Sequence, residues 1–374
     1  MEILTRYSGL KTRSREIRAH TRTIANRSPQ FDAKGVPMPD AEAELAKRCG
    51  AKLDSCANYL VFNDYYTIGQ QKLVKAHTCK QHLLCPFCAA RRSAKQMALY
   101  VEKIKHVVEE KPHLKAIMMT LTVKNGHDLT ERFNHLKKAV QRLTGRRRDY
   151  LKKGWGRTEW RKLEGALYSF EFTYSEEHGW HPHVHMVALA NDWIDREALS
   201  KEWLEVTGDS YIVDVRRIKS RTTNTPDSDL MSGLAEVLKY SLKFSDLEDA
   251  LVWKAYTELR GKRLMGSLGA LRGVPAPESL LDDPLEGLPY IELFYRYKPQ
   301  SGMYDLVKST PVPAGDSLEP AAPADRGSAG MEDPNPPEET PVKGEAVAEQ
   351  RCEAPLTGVS LGGLSDLMPP DPPT

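Results

Sequence analysis

The spacing of apolar and polar positions changes along this chain, and each change marks an element. From Lys115 to Val123 the run Lys-Ala-Ile-Met-Met-Thr-Leu-Thr-Val is rich in branched and apolar residues and is bounded by Asn125-Gly126. It predicts a buried strand ending in a turn, with Thr120 and Thr122 on one face. Ala166–Tyr174 alternates, with Tyr168, Phe170, Phe172 and Tyr174 on one side and Ser169, Glu171 and Thr173 on the other. The turn formers from Ser175 to Gly179 return the chain into a second alternating stretch ending at Leu189, which predicts a hairpin. Helical spacing governs other segments. Met97, Val101, Ile104 and Val108 predict a helix that follows Cys88 and ends before Pro112, and a second runs from Asp128 to about Leu143. A third is capped by Asp195, carries Leu199, Trp203 and Val206 on one face and closes at Gly208. Tyr211–Val215 reads as a strand. Leu230, Leu234, Leu238 and Leu242 form an i, i+4 stripe, while Glu236, Tyr240 and Lys243 recur on another face of the same helix. Strands and helices alternating around a meander predict an α+β layered fold.

The ends of the chain differ from this middle. Residues 1–48 are polar and arginine-rich (Arg6, Arg13, Arg15, Arg18, Arg22, Arg27) with weak periodicity, and read as a loosely structured basic arm. Beyond Lys308 there is no aromatic residue and 13 of the 25 prolines occur there, so residues 309–374 read as a disordered acidic tail that cannot bury enough apolar surface to offset the entropy of ordering. Between the ends, residues 49–111 form a cysteine-cluster module with its helix, 112–262 the sheet-and-helix unit that carries the candidate chemistry, and 263–308 a C-terminal extension of the folded part. Charge follows the same division: the tail carries a net −9 and residues 1–308 a net +11, hidden within an overall +2. A basic body fits a phosphate-backbone ligand. No apolar run approaches the ~18 residues of a membrane span, and Met1-Glu2-Ile3-Leu4-Thr5-Arg6 lacks the pattern of a secretory signal, so a cytoplasmic protein is expected.

Two clusters offer metal chemistry. Gly179-Trp180-His181-Pro182-His183-Val184-His185-Met186 places His181, His183 and His185 on one face of a strand, and His183 and His185 can reach a single cation. If the hairpin pairs antiparallel, Glu171 stands opposite them as a hard ligand suited to Mg²⁺ or Mn²⁺. Cys85-Pro86-Phe87-Cys88 is a knuckle for a thiolate-bound metal, and with Cys79 and Cys56 it predicts a closed tetrahedral zinc site of structural type. Cys49 competes with Cys56 for the first place, and His77 and His82 are further alternatives. From Arg146 to Lys162, basic residues (Arg146, Arg147, Arg148, Lys152, Lys153) interleave with Tyr150, Trp155 and Trp160, supplying cations for phosphates and flat rings for unstacked bases.

The order of these features, a cysteine cluster, Thr120-Leu121-Thr122, Glu171-Phe172-Thr173-Tyr174, His181-Pro182-His183-Val184-His185 and Glu236-Val237-Leu238-Lys239-Tyr240, resembles the single-tyrosine plasmid rolling-circle replication initiators of the histidine-hydrophobic-histidine nuclease superfamily. The resemblance implies a palm-like fold, a central antiparallel sheet with the histidine strand in the middle and flanking helices. It implies nicking of origin DNA, single-stranded or extruded, by Tyr240, with His183, His185 and Glu171 at a divalent cation, His181 orienting a ligand or water, and Glu236 activating water at termination. Lys239 or Lys243 would favour the phenolate. A host helicase, single-strand-binding protein and DNA polymerase are the partners it implies. A transposase or relaxase of the same chemistry, and a zinc-containing DNA-binding regulator without nuclease activity, are the competing readings; the next tyrosine after Tyr240 is Tyr256.

Overall fold

The computed structural model describes residues 2–218, 246–272 and 288–314, together with positions 233, 234, 237, 244 and 285. Within them the chain is α+β, with six helices and two antiparallel sheets. The helices are α1 (Glu2–Ala25), α2 (Ala41–Ser55), α3 (Pro86–Glu110), α4 (Leu129–Lys153), α5 (Arg196–Thr207) and α6 (Asp249–Leu259). The strands are β1 (Tyr59–Tyr65), β2 (Gln70–Ala76), β3 (Lys115–Thr122), β4 (Leu163–Ser175), β5 (Gly179–Ala190), β6 (Val213–Arg217), β7 (Met265–Gly269), β8 (Tyr290–Lys298) and β9 (Met303–Val312).

The larger sheet has the order β6-β3-β5-β4-β7, so the histidine strand β5 is its centre. Alternation decides what each face meets. Ile117, Met119 and Leu121 of β3, Val184, Met186 and Ala188 of β5 and Phe170 and Phe172 of β4 turn one way, into a core shared with Phe133 and Leu136 of α4 and Leu199 and Trp203 of α5. Met118, Leu167, Val187 and Leu189 turn the other way, against Met97, Val101, Ile104 and Val107 of α3. Leu234 and Val237 pack in this second cluster. The α3 stripe is the seal of that face: Ile104 is fully buried, and its truncation to alanine removes packing worth about 2–5 kcal/mol.

The smaller sheet, β2-β1-β8-β9, joins distant parts of the sequence, since β1 pairs antiparallel with β8 from Tyr59↔Arg296 to Asp64↔Ile291. Neither partner carries a turn signal pointing at the other. Strand β9 runs to Val312, so Ser309–Val312 belongs to a strand rather than to the expected tail; residues 315–374 lie outside the described ones.

The N-terminal segment corrects the expected loose arm. It is helical, and one face of α1 buries Tyr7, Lys11, Ser14, Ile17 and Thr21, with Tyr7 against Phe62 and Phe87, Ser14 against Cys85 and Lys11 on the carbonyls of Asp54 and Cys56. The spacing is helical, but three of those five residues are polar, so hydrophobic periodicity does not register them. Its arginines are used internally: Arg13 donates to the carbonyls of Phe244 and Leu247 and pairs with Asp249, Arg18 pairs with Asp54, and Arg27 with Asp40 and Glu42. The basic run after Leu143 is likewise helical, because α4 continues to Lys153 and ends on Gly154 in the left-handed conformation.

Candidate active site

The hairpin β4–β5 is in the register that sets Glu171 across from His183 and Ser169 across from His185. Period-two geometry then delivers all four side chains to one face. Oε2 of Glu171 lies 2.9 Å from Nε2 of His185 and 3.5 Å from Nε2 of His183, and the two imidazole rings stand edge to face with centroids 4.6 Å apart. The three side chains are 7%, 11% and 12% exposed. Burial pushes the Glu171 carboxyl up, but the hydrogen bonds and charges of His183 and His185 more than offset this and hold it below the usual carboxylate range. One ligand atom from each residue lies within 4.8 Å of the others. A cation bound at about 2.1 Å needs ligand separations of roughly 3–4 Å, so this set fits a divalent ion. Two imidazoles and one carboxylate leave coordination positions open, as a site acting on a phosphate requires.

The neighbouring contacts were not foreseen from sequence. Oγ1 of Thr120 is 3.0 Å from Nδ1 of His185, directly across the β3–β5 ladder. Nδ1 of His181 is 2.6 Å from Oδ1 of Asn125, and this corner is tightened by the Gly126↔Trp180 bridge. Gly179 opens β5 at φ 73° where an added Cβ would stand 2.7 Å from the Gly126 carbonyl oxygen, so a side chain is excluded there on two counts. Burial, followed by the charge of His183, lowers the pKa of His181. Ser169 donates its hydroxyl proton to the carbonyl of Val237.

Leu234 and Val237 therefore sit on the face that carries Glu171, His183 and His185. Glu236, Lys239, Tyr240 and Lys243 lie outside the described residues. Tyr256 does not approach this face: it is on α6, with its hydroxyl 3.3 Å from Sγ of Cys49.

The second cluster is Cys56, Cys79, Cys85 and Cys88, all buried. Cys49 is on α2 and faces Tyr256, which removes it from the set, and His77 turns its Nδ1 to the carbonyl of Ser55 at 3.0 Å. Sγ–Sγ separations are 3.6 Å for Cys56–Cys85, 3.6 Å for Cys56–Cys88 and 3.5 Å for Cys79–Cys88. These far exceed the ~2.05 Å of a disulfide and approach the ~3.8 Å edge of a tetrahedron with ~2.3 Å metal–sulfur bonds. The four thiols thus fit a zinc ion with no position left for water. Cys85 caps α3 and Cys88 lies in its first turn; hydrogen bonds from Cys56 and Cys79 lower the pKa of both. Lys11, 2% exposed, reaches in from α1 to the carbonyls of Cys56 (2.5 Å) and Asp54 (3.2 Å). Burial lowers its pKa, against the charges of Cys56 and Cys85.

The basic and aromatic run divides. Arg147 donates to the carbonyl of Leu163 at 3.0 and 2.8 Å, and Arg146 pairs with Glu205 at 2.9 Å, so both are engaged within the protein. Trp160 is fully buried and presents no ring to a base. Trp155 is 70% exposed, with Nζ of Lys153 5.3 Å from its ring centre, and Arg148 and Lys152 are exposed beside it. Leu163, whose carbonyl Arg147 grips, pairs with Ala190, five residues beyond His185 and seven beyond His183, about 17 to 23 Å along β5.

A cluster of two imidazoles and a carboxylate on the central strand and a cluster of four cysteines, on one α+β frame, are two groups of different chemistry that could each hold a metal ion. Residues 70–288 match the family described as "Replication protein". The chain belongs to that family, the plasmid rolling-circle Rep proteins. It is similar to "Protein rep" of Streptococcus pneumoniae serotype 2 (28% identity over 223 residues, 55% of this chain and 65% of that protein). It is also similar to "Protein rep" of a Bacillus species (28% over 259 residues, 60% and 78%) and of Staphylococcus aureus (27% over 203 residues, 52% and 82%). The matched part thus spans just under two thirds of the Streptococcus protein. No solved structure matches the chain. No described helix is long and apolar enough to cross a membrane.

Proposed function

We propose that this chain initiates plasmid rolling-circle replication in the bacterial cytoplasm by nicking one strand of origin DNA through a tyrosine transesterification. The observation that carries the reading is the packing of Leu234 and Val237 onto the sheet face that holds Glu171, His183 and His185. Val237 is three residues from Tyr240, a reach of at most about 11 Å. The central position of β5 favours the palm-like arrangement of the family.

In this reading Tyr240 Oη attacks the scissile phosphorus, the bond from phosphorus to the 3′ oxygen breaks, and the 3′ oxygen leaves with a proton as the primer end. The 5′ phosphate stays esterified to Tyr240. A Mg²⁺ or Mn²⁺ ion held by His183, His185 and Glu171 supplies polarisation of the phosphate when bound. His181, held by Asn125, orders the edge of that site. Glu236, four residues before Tyr240 in the sequence, takes the proton of the water that later releases the 5′ phosphate. Lys239 or Lys243 favours the phenolate. Cys56, Cys79, Cys85 and Cys88 hold a structural Zn²⁺ at the start of α3, the helix that seals the same face. Arg148, Lys152, Lys153 and Trp155 offer DNA a second contact away from the nick, while Arg146 and Arg147 support it from within. Single-stranded or extruded origin DNA is the substrate, and a host helicase, single-strand-binding protein and DNA polymerase continue the replication.

The two-tyrosine chemistry of a transposase or relaxase is disfavoured by Tyr256, whose hydroxyl is turned to Cys49. The test is a denaturing gel of the protein incubated with Mn²⁺ and single-stranded fragments of its replicon, comparing wild type with Tyr240→Phe. A DNA-shifted protein band present in wild type and absent in the variant is expected. Cleavage unchanged in Tyr240→Phe would move the nucleophile to another tyrosine, and DNA binding without any cleavage would leave a zinc-containing regulator.

A further inference from the structure

The two imidazoles that face Glu171 are not held alike. His185 has its far ring nitrogen engaged, Nδ1 lying 3.0 Å from Oγ1 of Thr120. The corresponding Nδ1 of His183 is buried and meets no hydrogen-bond partner among the described residues. The position of Thr120 is fixed from both sides, because β3 pairs with β5 at Thr120↔His185 and with β6 at Thr120↔Asp214. A β-branched side chain on such a strand has little rotameric freedom. Oγ1 is therefore placed on the Nδ1 side of His185 while Nε2 is aimed at Glu171, 2.9 Å away.

A neutral imidazole carries one proton on one of two nitrogens, and only the unprotonated nitrogen can bind a metal. With Nε2–H donating to Glu171, Nδ1 needs a donor; with Nε2 on a cation, the proton resides on Nδ1, which needs an acceptor. A hydroxyl is both, whereas a carboxylate or a carbonyl oxygen only accepts.

Resting on the metal reading given above, we propose that Thr120 is the positioning residue of the centre, its hydroxyl holding the His185 ring in the one orientation that aims Nε2 at the cation. With Nε2 on the cation the ring's remaining proton sits on Nδ1, and the Thr120 hydroxyl accepts it. The Thr-Leu-Thr segment thereby acquires a chemical task in addition to its place in the sheet.

The experiment is equilibrium binding of Mn²⁺ to the zinc-replete full chain, followed by the electron paramagnetic resonance of free Mn²⁺, with melting temperatures recorded before addition of Mn²⁺. Loss of the outer partner of a ligating histidine weakens metal binding about 10–100-fold, which is the result expected for Thr120→Val. Thr120→Ser, which keeps the hydroxyl, binds as wild type does, and the melting temperatures of the two variants agree. Thr120→Ala repeats the loss if valine unsettles the strand. His185→Ala separates the two levels of inference. If it binds Mn²⁺ as wild type does, the metal reading falls and the role of Thr120 with it. If it loses Mn²⁺ while Thr120→Val and Thr120→Ala retain wild-type affinity, only the role of Thr120 is overturned. Equal weakening in Thr120→Ser would also overturn it, since the hydroxyl would then not be the cause.

Discussion

Ser169 donates its side-chain hydrogen bond to the main-chain carbonyl of Val237, and on the same strand face, two residues along, stands Glu171. One strand of the sheet thus carries both a metal-ligand candidate and an anchor for the segment leading to Tyr240. Position matters steeply for in-line attack, where a displacement of about 1 Å costs on the order of 100-fold in rate. Ser169→Ala is expected to lower the rate of covalent adduct formation by about 10–100-fold while leaving Mn²⁺ affinity unchanged. Single-turnover kinetics beside a Mn²⁺ titration would check this; an unaltered adduct rate would mean the segment is placed by Leu234 and Val237 alone.

Among the described residues, Glu171 supplies the only negative charge of its cluster. Glu171→Gln keeps the shape, removes the charge and leaves His183 and His185 in place, so Mn²⁺ binding should fall by at least about tenfold, a loss of ~1.4 kcal/mol. Calorimetric titration of wild type and variant decides it.

The thiolate cluster makes a prediction about folding. It lies among α1, the start of β1 and the N-terminus of α3, so loss of one ligand loosens three elements together. Cys88→Ser is expected to purify without its full zinc equivalent and to melt well below wild type, because binding energy of a structural metal is folding energy. Elemental analysis with thermal unfolding tests this, and unchanged zinc content with an unchanged melting temperature would remove Cys88 from the site.

Arg147 and Arg148 are neighbours with opposite expectations. Arg147→Met leaves the Leu163 carbonyl without its donor and should cost about 1–3 kcal/mol of stability with little change in DNA binding. Arg148→Ala with Lys152→Ala should leave stability within about 0.5 kcal/mol and reduce the salt dependence of DNA binding by roughly two phosphate contacts. Urea unfolding and binding isotherms at several salt concentrations separate the two behaviours.

A pH dependence follows from Lys111 and Glu164, whose ion pair at 2.5 Å ties the end of α3 to β4. The hydrogen bond from Lys111 holds the Glu164 carboxyl below its usual range. A carboxylate with a depressed folded-state pKa contributes stability above its unfolded value of about 4.3, and that contribution disappears as the pH falls through the folded value. The side chains are 42% and 25% exposed, so solvent screening limits the pair to about 0.5 kcal/mol. Lys111→Met should cost that amount at neutral pH and progressively less in acid, measured by urea unfolding; a deficit that grows in acid would contradict the sign.

Much of the candidate site is local in origin, and for that reason the sequence alone determined it. The side-chain period of a strand is two, so His183 with His185 and Ser169 with Glu171 are assigned to faces by their spacing, and a short turn from Ser175 to Gly179 fixes the register that unites them. The same holds for the caps of α4 and α5, where Asp128 and Asp195 each accept from a backbone amide three residues on. What tertiary structure decided are the pairings that cross the chain. Cys49 lies within α2 while Cys56, seven residues on, is the extended residue just past its end; which joins Cys79, Cys85 and Cys88 depends on where α2 stops. Arg147 and Trp160 read as nucleic-acid ligands until the sheet places a carbonyl beside one and a core around the other. The β1–β8 pairing and the polar stripe by which α1 packs carry no local period of their own, because their partners lie hundreds of residues away or bury hydroxyls and an ammonium where apolar groups are the rule.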